Sequence, residues 1–225
     1  IHSDDWQYRS LGLSCSDHME RCSMPVFLVL LITLFGCTAA YAQPEAFPST
    51  YTAPPAQPTL FKNATILTGD GRRLDSTDLY IEEGRISWVG QGDTASNTVV
   101  VDASNRWITP GLIDVHSHLG VYPSPGVAAH SDGNEATAPV TAEVWAEHSV
   151  WPQDPGFPRA LAGGVTALQI LPGSANLFGG RGVTLKNVPS TSYQGMKFPG
   201  APYGLKMACG ENPKRVYGGR NQSPS

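Results

Sequence analysis

Hydrophobic positions along the chain change their pattern twice. Val26 to Phe35 is an apolar run, interrupted by Thr33 alone, that gives way to small residues ending at Ala40-Tyr41-Ala42. Between Leu60 and Asp102, short apolar stretches alternate with polar ones and are punctuated by Asp70-Gly71 and Glu83-Gly84. After Pro110 the apolar segments are set between long connections. The middle pattern predicts strands at Leu60 to Thr68, Leu79 to Glu82, Arg85 to Val89 and Val99 to Asp102, the second and third forming a hairpin around Glu83-Gly84. Short strands at this spacing make a small sheet or sandwich, not a βαβ unit.

The last pattern differs. Leu112 to His116 is apolar enough to be a parallel strand buried on both faces. Asp154 suits a helix cap, Pro155 the first helical position, Arg159 to Ala162 the body, and Gly163-Gly164 the end. Val165 to Leu171 then reads as the next buried strand, completing a right-handed βα crossover. Val183 to Lys186 reads as a further strand, and Gly204 to Arg215 as a strand leading into a turn or short helix. The connection from Leu119 to Pro152 carries His130, Asp132, Glu135, Glu143, Glu147 and His148, and irregular connections of that length are usually functional or disordered.

The N-terminal run is too short to span a bilayer, and with its small-residue ending it predicts a secretory signal cleaved before Gln43. Residues 1–42 are therefore expected to be an upstream segment and signal peptide starting at Met19 or Met24, and the protein to be exported to the periplasm or secreted. A competing reading makes Leu34-Phe35-Gly36-Cys37 a lipoprotein box with Cys37 lipidated, against which stands the bulk of Phe35. Otherwise no membrane association is expected after cleavage. Of Cys15, Cys22, Cys37 and Cys209, only Cys209 follows the cleavage site, which leaves it no disulfide partner and suggests a small core residue. Residues 43–58, rich in proline, alanine and threonine, are expected to be an extended linker. With 15 Lys and Arg against 19 Asp and Glu, no basic surplus supports nucleic-acid binding.

The candidate chemistry lies in Gly111-Leu112-Ile113-Asp114-Val115-His116-Ser117-His118. Side chains alternate across a strand, so His116 and His118 point the same way and can share a metal ion. A catalytic zinc usually takes three protein ligands and a water, so two imidazoles are only part of a site. The β-rich lead-in followed by Ile108 to His118 resembles the opening of the amidohydrolase superfamily, in the branch related to imidazolonepropionase. The resemblance covers about Leu60 to Ser225 and rests on the complete PGLIDVHSH run.

It implies an α/β fold in which a partial (β/α)8 TIM barrel (110–225) follows strands of a small β-sandwich (59–109). It implies one or two divalent ions, usually zinc, activating water to hydrolyse carbon-nitrogen bonds, non-peptide and including cyclic amides, of a small-molecule substrate. Asp114 would support the site from behind. The family bridges its metals with a carboxylated lysine or a glutamate, for which Lys206 and Glu211 are both candidates. A full barrel needs about 250 residues, so the chain reads as an N-terminal fragment, inactive alone, and the catalytic residues that complete the family's site have no counterpart in it. Competing functions are a metallo-dipeptidase of the same superfamily and a non-catalytic exported binding module. Oligomeric state and substrate identity are not legible.

Other features have plainer expectations. His130 and His148 read as solvated or packed loop residues, and Trp145 and Trp151 as packing residues. Gly173 to Gly182 could cradle an anion through backbone N–H groups, but it lacks the phosphate-loop spacing and reads better as a tight connection. Asn63-Ala64-Thr65 fits a glycosylation pattern that is common by chance.

Overall fold

Residues 47–220 are described by the structure, a computed structural model. The expected signal segment, with Cys15, Cys22 and Cys37, lies outside the described residues. Strands β1 (Thr59–Leu67), β2 (Arg73–Glu82), β3 (Arg85–Gly90), β4 (Val99–Asp102) and β5 (Trp107–Ile108) form one sheet, ordered β3-β2-β1-β4 with β5 also on β1. The β2–β3 hairpin falls where Glu83-Gly84 predicts it. Both residues have positive φ, 51° and 72°, the twist that a two-residue hairpin turn requires. Inward residues Ala64, Ile66, Leu79 and Ala103 make this sheet's core.

The second sheet contains β6 (Leu112–Ser117), β7 (Val165–Ile170), β8 (Phe178–Lys186) and β9 (Gly204–Met207), in that order across the sheet. β6 and β7 are parallel, as expected from the intervening helix α1 (Gly156–Ala162). The remaining pairs are antiparallel, which corrects the all-parallel barrel expectation for these residues. The short connection 171–177 explains the reversal, since parallel neighbours need a crossover of about a dozen residues or more. β8 also begins five residues before the predicted Val183, at Phe178, and takes in Gly179, Gly180 and Gly182. The glycine-rich stretch is therefore mostly strand. Its backbone N–H groups are spent on protein acceptors, Gly173 on Gly133, Phe178 on Pro139 and Arg181 on Val144, so it is not an anion cradle.

Leu168 and Ile170 of β7 and Val183 and Leu185 of β8 pack on Phe157 of α1, with Val121, Val150 and Met196. β6 lies at the sheet edge and does not meet the expectation of double burial. Leu112, Ile113 and Val115 are 57%, 68% and 68% exposed, because among the described residues only β7 pairs with it. Cys209 is also exposed, not a core residue, as it follows the open end of β9.

Buried polar groups hold the long 119–152 connection in place. The Asp154 carboxylate accepts the backbone N–H groups of Gly120 (2.9 Å), Ser124 (3.1 Å) and Gly156 (2.9 Å), so it ties the connection to the helix start, although the cap position falls on Pro155, one residue after the expected Asp154, and the helix begins at Gly156. Glu147, in a short 3-10 turn (Ala146–Ser149), pairs with Lys197 at 2.8 Å with the two side chains 0% and 3% exposed. The Lys197 ammonium also donates to the Phe47 carbonyl and the Tyr203 hydroxyl. The segment expected to be a free linker is therefore tied down at 47–51. There Ser49 Oγ donates to the Lys197 carbonyl (2.7 Å) and Thr50 N–H to that of Gln194 (3.0 Å). No helix among the described residues is long and apolar enough to cross a membrane.

Asp154→Ala strands the buried Gly120 N–H and two less buried ones at Ser124 and Gly156 and is expected to cost about 2 kcal/mol, while Asp154→Asn, which keeps one acceptor oxygen, costs less. Urea unfolding of the full-length protein, with the midpoint shifting at constant slope, checks the order. The apolar edge of β6 predicts self-association of a chain limited to these residues. Sedimentation should show less of it after Ile113→Lys.

Candidate metal centre

The site forms where β6 ends. Alternation along the strand sends Ser117 into the core, 5% exposed, and leaves His116 and His118 on the other side. Their rings lie 5.2 Å apart, edge to face at 81°. His118 Nδ1 is 2.8 Å from the Leu171 carbonyl just past β7. A carbonyl can only accept, so Nδ1 carries the proton and Nε2 keeps the lone pair that a metal needs. Asp114 accepts the backbone N–H of His116 at 3.1 Å, so it braces the strand and does not orient an imidazole.

Opposite the histidines stands Lys206. β9 inverts the usual pattern, with Leu205 and Met207 exposed and Lys206 buried. The Lys206 ammonium nitrogen lies 3.0 Å from His116 Nε2. β6 and β9 are at opposite ends of the strand order, and strands in a flat sheet are about 4.8 Å apart, so this contact requires a strongly curled sheet. Burial lowers the Lys206 pKa. His116 is lowered as well, first by the nearby Lys206 charge, then by burial and His118, against an opposing pull from Asp114. Both shifts favour neutral nitrogen, the form that binds a metal. Glu211, the other candidate, is exposed in the first turn of a short helix (Glu211–Tyr217).

Tyr122 is the residue that sequence reading missed. Its ring lies edge to face on His118, centroids 5.5 Å apart at 88°. A Cβ on either Gly133 or Gly173 would collide with the ring or its hydroxyl, so both glycines are needed to seat it. Asn134 Nδ2 donates to the hydroxyl. Burial raises the Tyr122 pKa, with the Asn134 hydrogen bond working against it. The only sequence trace was the pair of loop glycines, which says nothing of what they pack against.

The other described histidines, His130 and His148, have partners of their own. His130 Nδ1 bonds the Pro125 carbonyl at 2.9 Å and its ring lies 5.4 Å from that of Trp151. His148 packs on Phe47 at 4.7 Å and Tyr193 at 5.9 Å. Trp145 packs on Phe47 and Tyr203 beneath the Arg181 guanidinium, and Trp151 is 40% exposed. Among the described residues no group of three or more His, Cys, Asp or Glu side chains converges on one point. The residues present thus fit one side of a metal site, two imidazoles and a buried amine.

No family model matches the chain. Over 195 residues it is 35% identical to the amidohydrolase tasK of Hapsidospora irregularis, a match covering 75% of this chain and 20% of that protein. Over 60 residues it is 42% identical to a dihydroorotase of Bacillus thuringiensis, covering 27% of this chain and 14% of that one. The crystal structure of an amidohydrolase from Thermotoga maritima superposes with a TM-score of 0.67 at 44% identity, covering 74% of this chain and 43% of that chain. The chain therefore spans a fifth or less of these curated relatives and under half of the solved structure. Three-quarters of its length shares both sequence and backbone with enzymes of one kind, and the chain belongs to the amidohydrolase superfamily.

Proposed function

We propose that the full-length protein is a metal-dependent hydrolase of carbon-nitrogen bonds in small molecules, with His116 and His118 as metal ligands. The carrying observation is the convergence of these imidazoles with the buried Lys206 across the curled sheet. Neutral imidazoles suit zinc, and a zinc ion held here would supply a water whose pKa falls to about 7. His118 binds through Nε2 because its other nitrogen is committed to Leu171. Lys206 rather than Glu211 is the third group. Its lowered pKa increases the neutral amine, whose lone pair can attack the carbon of carbon dioxide and release a proton to water, leaving a carbamate with oxygen donors. Without that step Lys206 is a positive charge beside the ligands.

The chain by itself supplies one side of the site and is expected to hold metal weakly and to be inactive. Export is part of the proposal and is supported by the apolar run Val26 to Phe35 and the small-residue ending at Ala42.

His116→Ala, His118→Ala and Lys206→Met in the full-length protein should each lower bound zinc and reduce hydrolysis of cyclic amides and N-acyl compounds by about 100-fold or more. Glu211→Gln should leave both within about twofold, as expected of an exposed surface charge. Metal analysis together with a substrate panel that includes dipeptides tests this. A full-length protein without bound metal, or one whose hydrolysis survives loss of both histidines, would sink it.

A further inference from the structure

We propose that Tyr122 is a preset hydrogen-bond donor for the oxygen of the substrate carbonyl. This rests on the hydrolase reading above and adds to it a residue that no ligand pattern contains. Asn134 sets the direction of the hydrogen bond at the phenol. Its Oδ1 accepts the backbone N–H of Ala175 at 3.0 Å, which fixes the amide the other way round toward Tyr122. Nδ2 therefore faces the phenol oxygen. An amide nitrogen donates and does not accept, so Tyr122 Oη is the acceptor in that bond and its own hydrogen points elsewhere. Among the described residues no hydrogen bond takes that hydrogen, and with Tyr122 42% exposed it is open to a ligand.

The group is also held still. A Cβ at Gly133 or Gly173 would overlap the ring or its hydroxyl, and Gly173 N–H donates to the Gly133 carbonyl, closing the clamp on that side. A donor fixed before the ligand arrives loses little freedom on binding, which is what makes such groups effective toward charge that develops during reaction. The ring's contact with His118 places it beside the proposed metal ligand. Tyr122 also lines a hollow of about 310 Å³ with Pro123, Val127, Ala128, His130 and Ser131, so a ligand has space next to the tyrosine. The ligand chemistry is an oxygen acceptor, either the carbonyl of an amide or the tetrahedral oxyanion formed from it.

The test uses full-length, zinc-loaded protein, with methylphosphonate as a tetrahedral oxyanion probe and titration calorimetry as the readout. Tyr122→Phe keeps the clamped ring and removes the hydrogen. It should bind methylphosphonate about 10- to 100-fold more weakly, with zinc content and melting temperature unchanged. Asn134→Asp supplies a carboxylate that captures the phenol hydrogen, and it should weaken the probe similarly although the tyrosine is still there. Unchanged probe affinity in Tyr122→Phe overturns the assignment, and so does loss of zinc in that variant, because the tyrosine would then serve His118 alone. Wild-type protein that binds no zinc overturns the hydrolase reading, and the donor assignment falls with it.

Discussion

The geometry of the site depends on one constraint, that strands at opposite ends of a four-strand order must meet. The 3.0 Å contact between His116 on β6 and Lys206 on β9 exists only because the sheet curls, and something must hold the curl against the tendency of a mixed sheet to open. The holding element is the buried pair of Glu147 and Lys197. Tyr203, the residue before β9, donates to Glu147 Oε2 at 3.1 Å, and Trp145 packs on the Tyr203 ring with centroids 4.7 Å apart. The start of β9 is thereby fixed to the long connection that follows β6. Removing one partner of a buried pair leaves an uncompensated charge and typically costs about 3–5 kcal/mol. The exposed Arg72–Asp70 pair at the β1–β2 turn is screened by solvent and has no comparable role.

The same network explains why the 47–51 segment is ordered. An ammonium has three hydrogens to place, and when it is buried each needs an acceptor. Glu147, Tyr203 and the Phe47 carbonyl supply them. A stretch of proline, alanine and threonine has no intrinsic reason to settle, so its order comes from what Lys197 demands and not from its own sequence. Tyr51 follows the same logic at the surface, its ring lying 5.0 Å from the Lys186 ammonium.

Local features of the fold were legible in the sequence because they are set by nearest neighbours. The Glu83-Gly84 hairpin, the α1 stop at Gly163 and strands β1, β4 and β7 all follow from turn chemistry and period. What could not be read depends on partners far along the chain. The direction of β8 is decided by the length of one loop, and the exposure of β6 by how few neighbours it has. Lys206 in a short apolar run looks like a surface charge in a strand, and only the curl turns it inward. Asp114 shares the side of His116 as alternation requires, yet its carboxylate serves a backbone N–H, a choice that side-chain periodicity does not encode. Tyr122 was hidden because glycines read as turn residues even when their function is to make room.

The strands that carry the candidate ligands are also those that leave apolar side chains in solvent. Leu112, Ile113 and Val115 flank the histidines on β6, and Leu205 and Met207 flank Lys206 on β9. Elsewhere in the sheet, on β7 and β8, apolar residues are covered. Covering the exposed residues would add stability in proportion to the area removed from water, and it would hold β6 and β9 more firmly in the curl that brings His116 to Lys206. Whatever packs on these strands therefore acts on ligand geometry without contacting a metal. Assembly of the fold and assembly of the site are, on this surface, the same event.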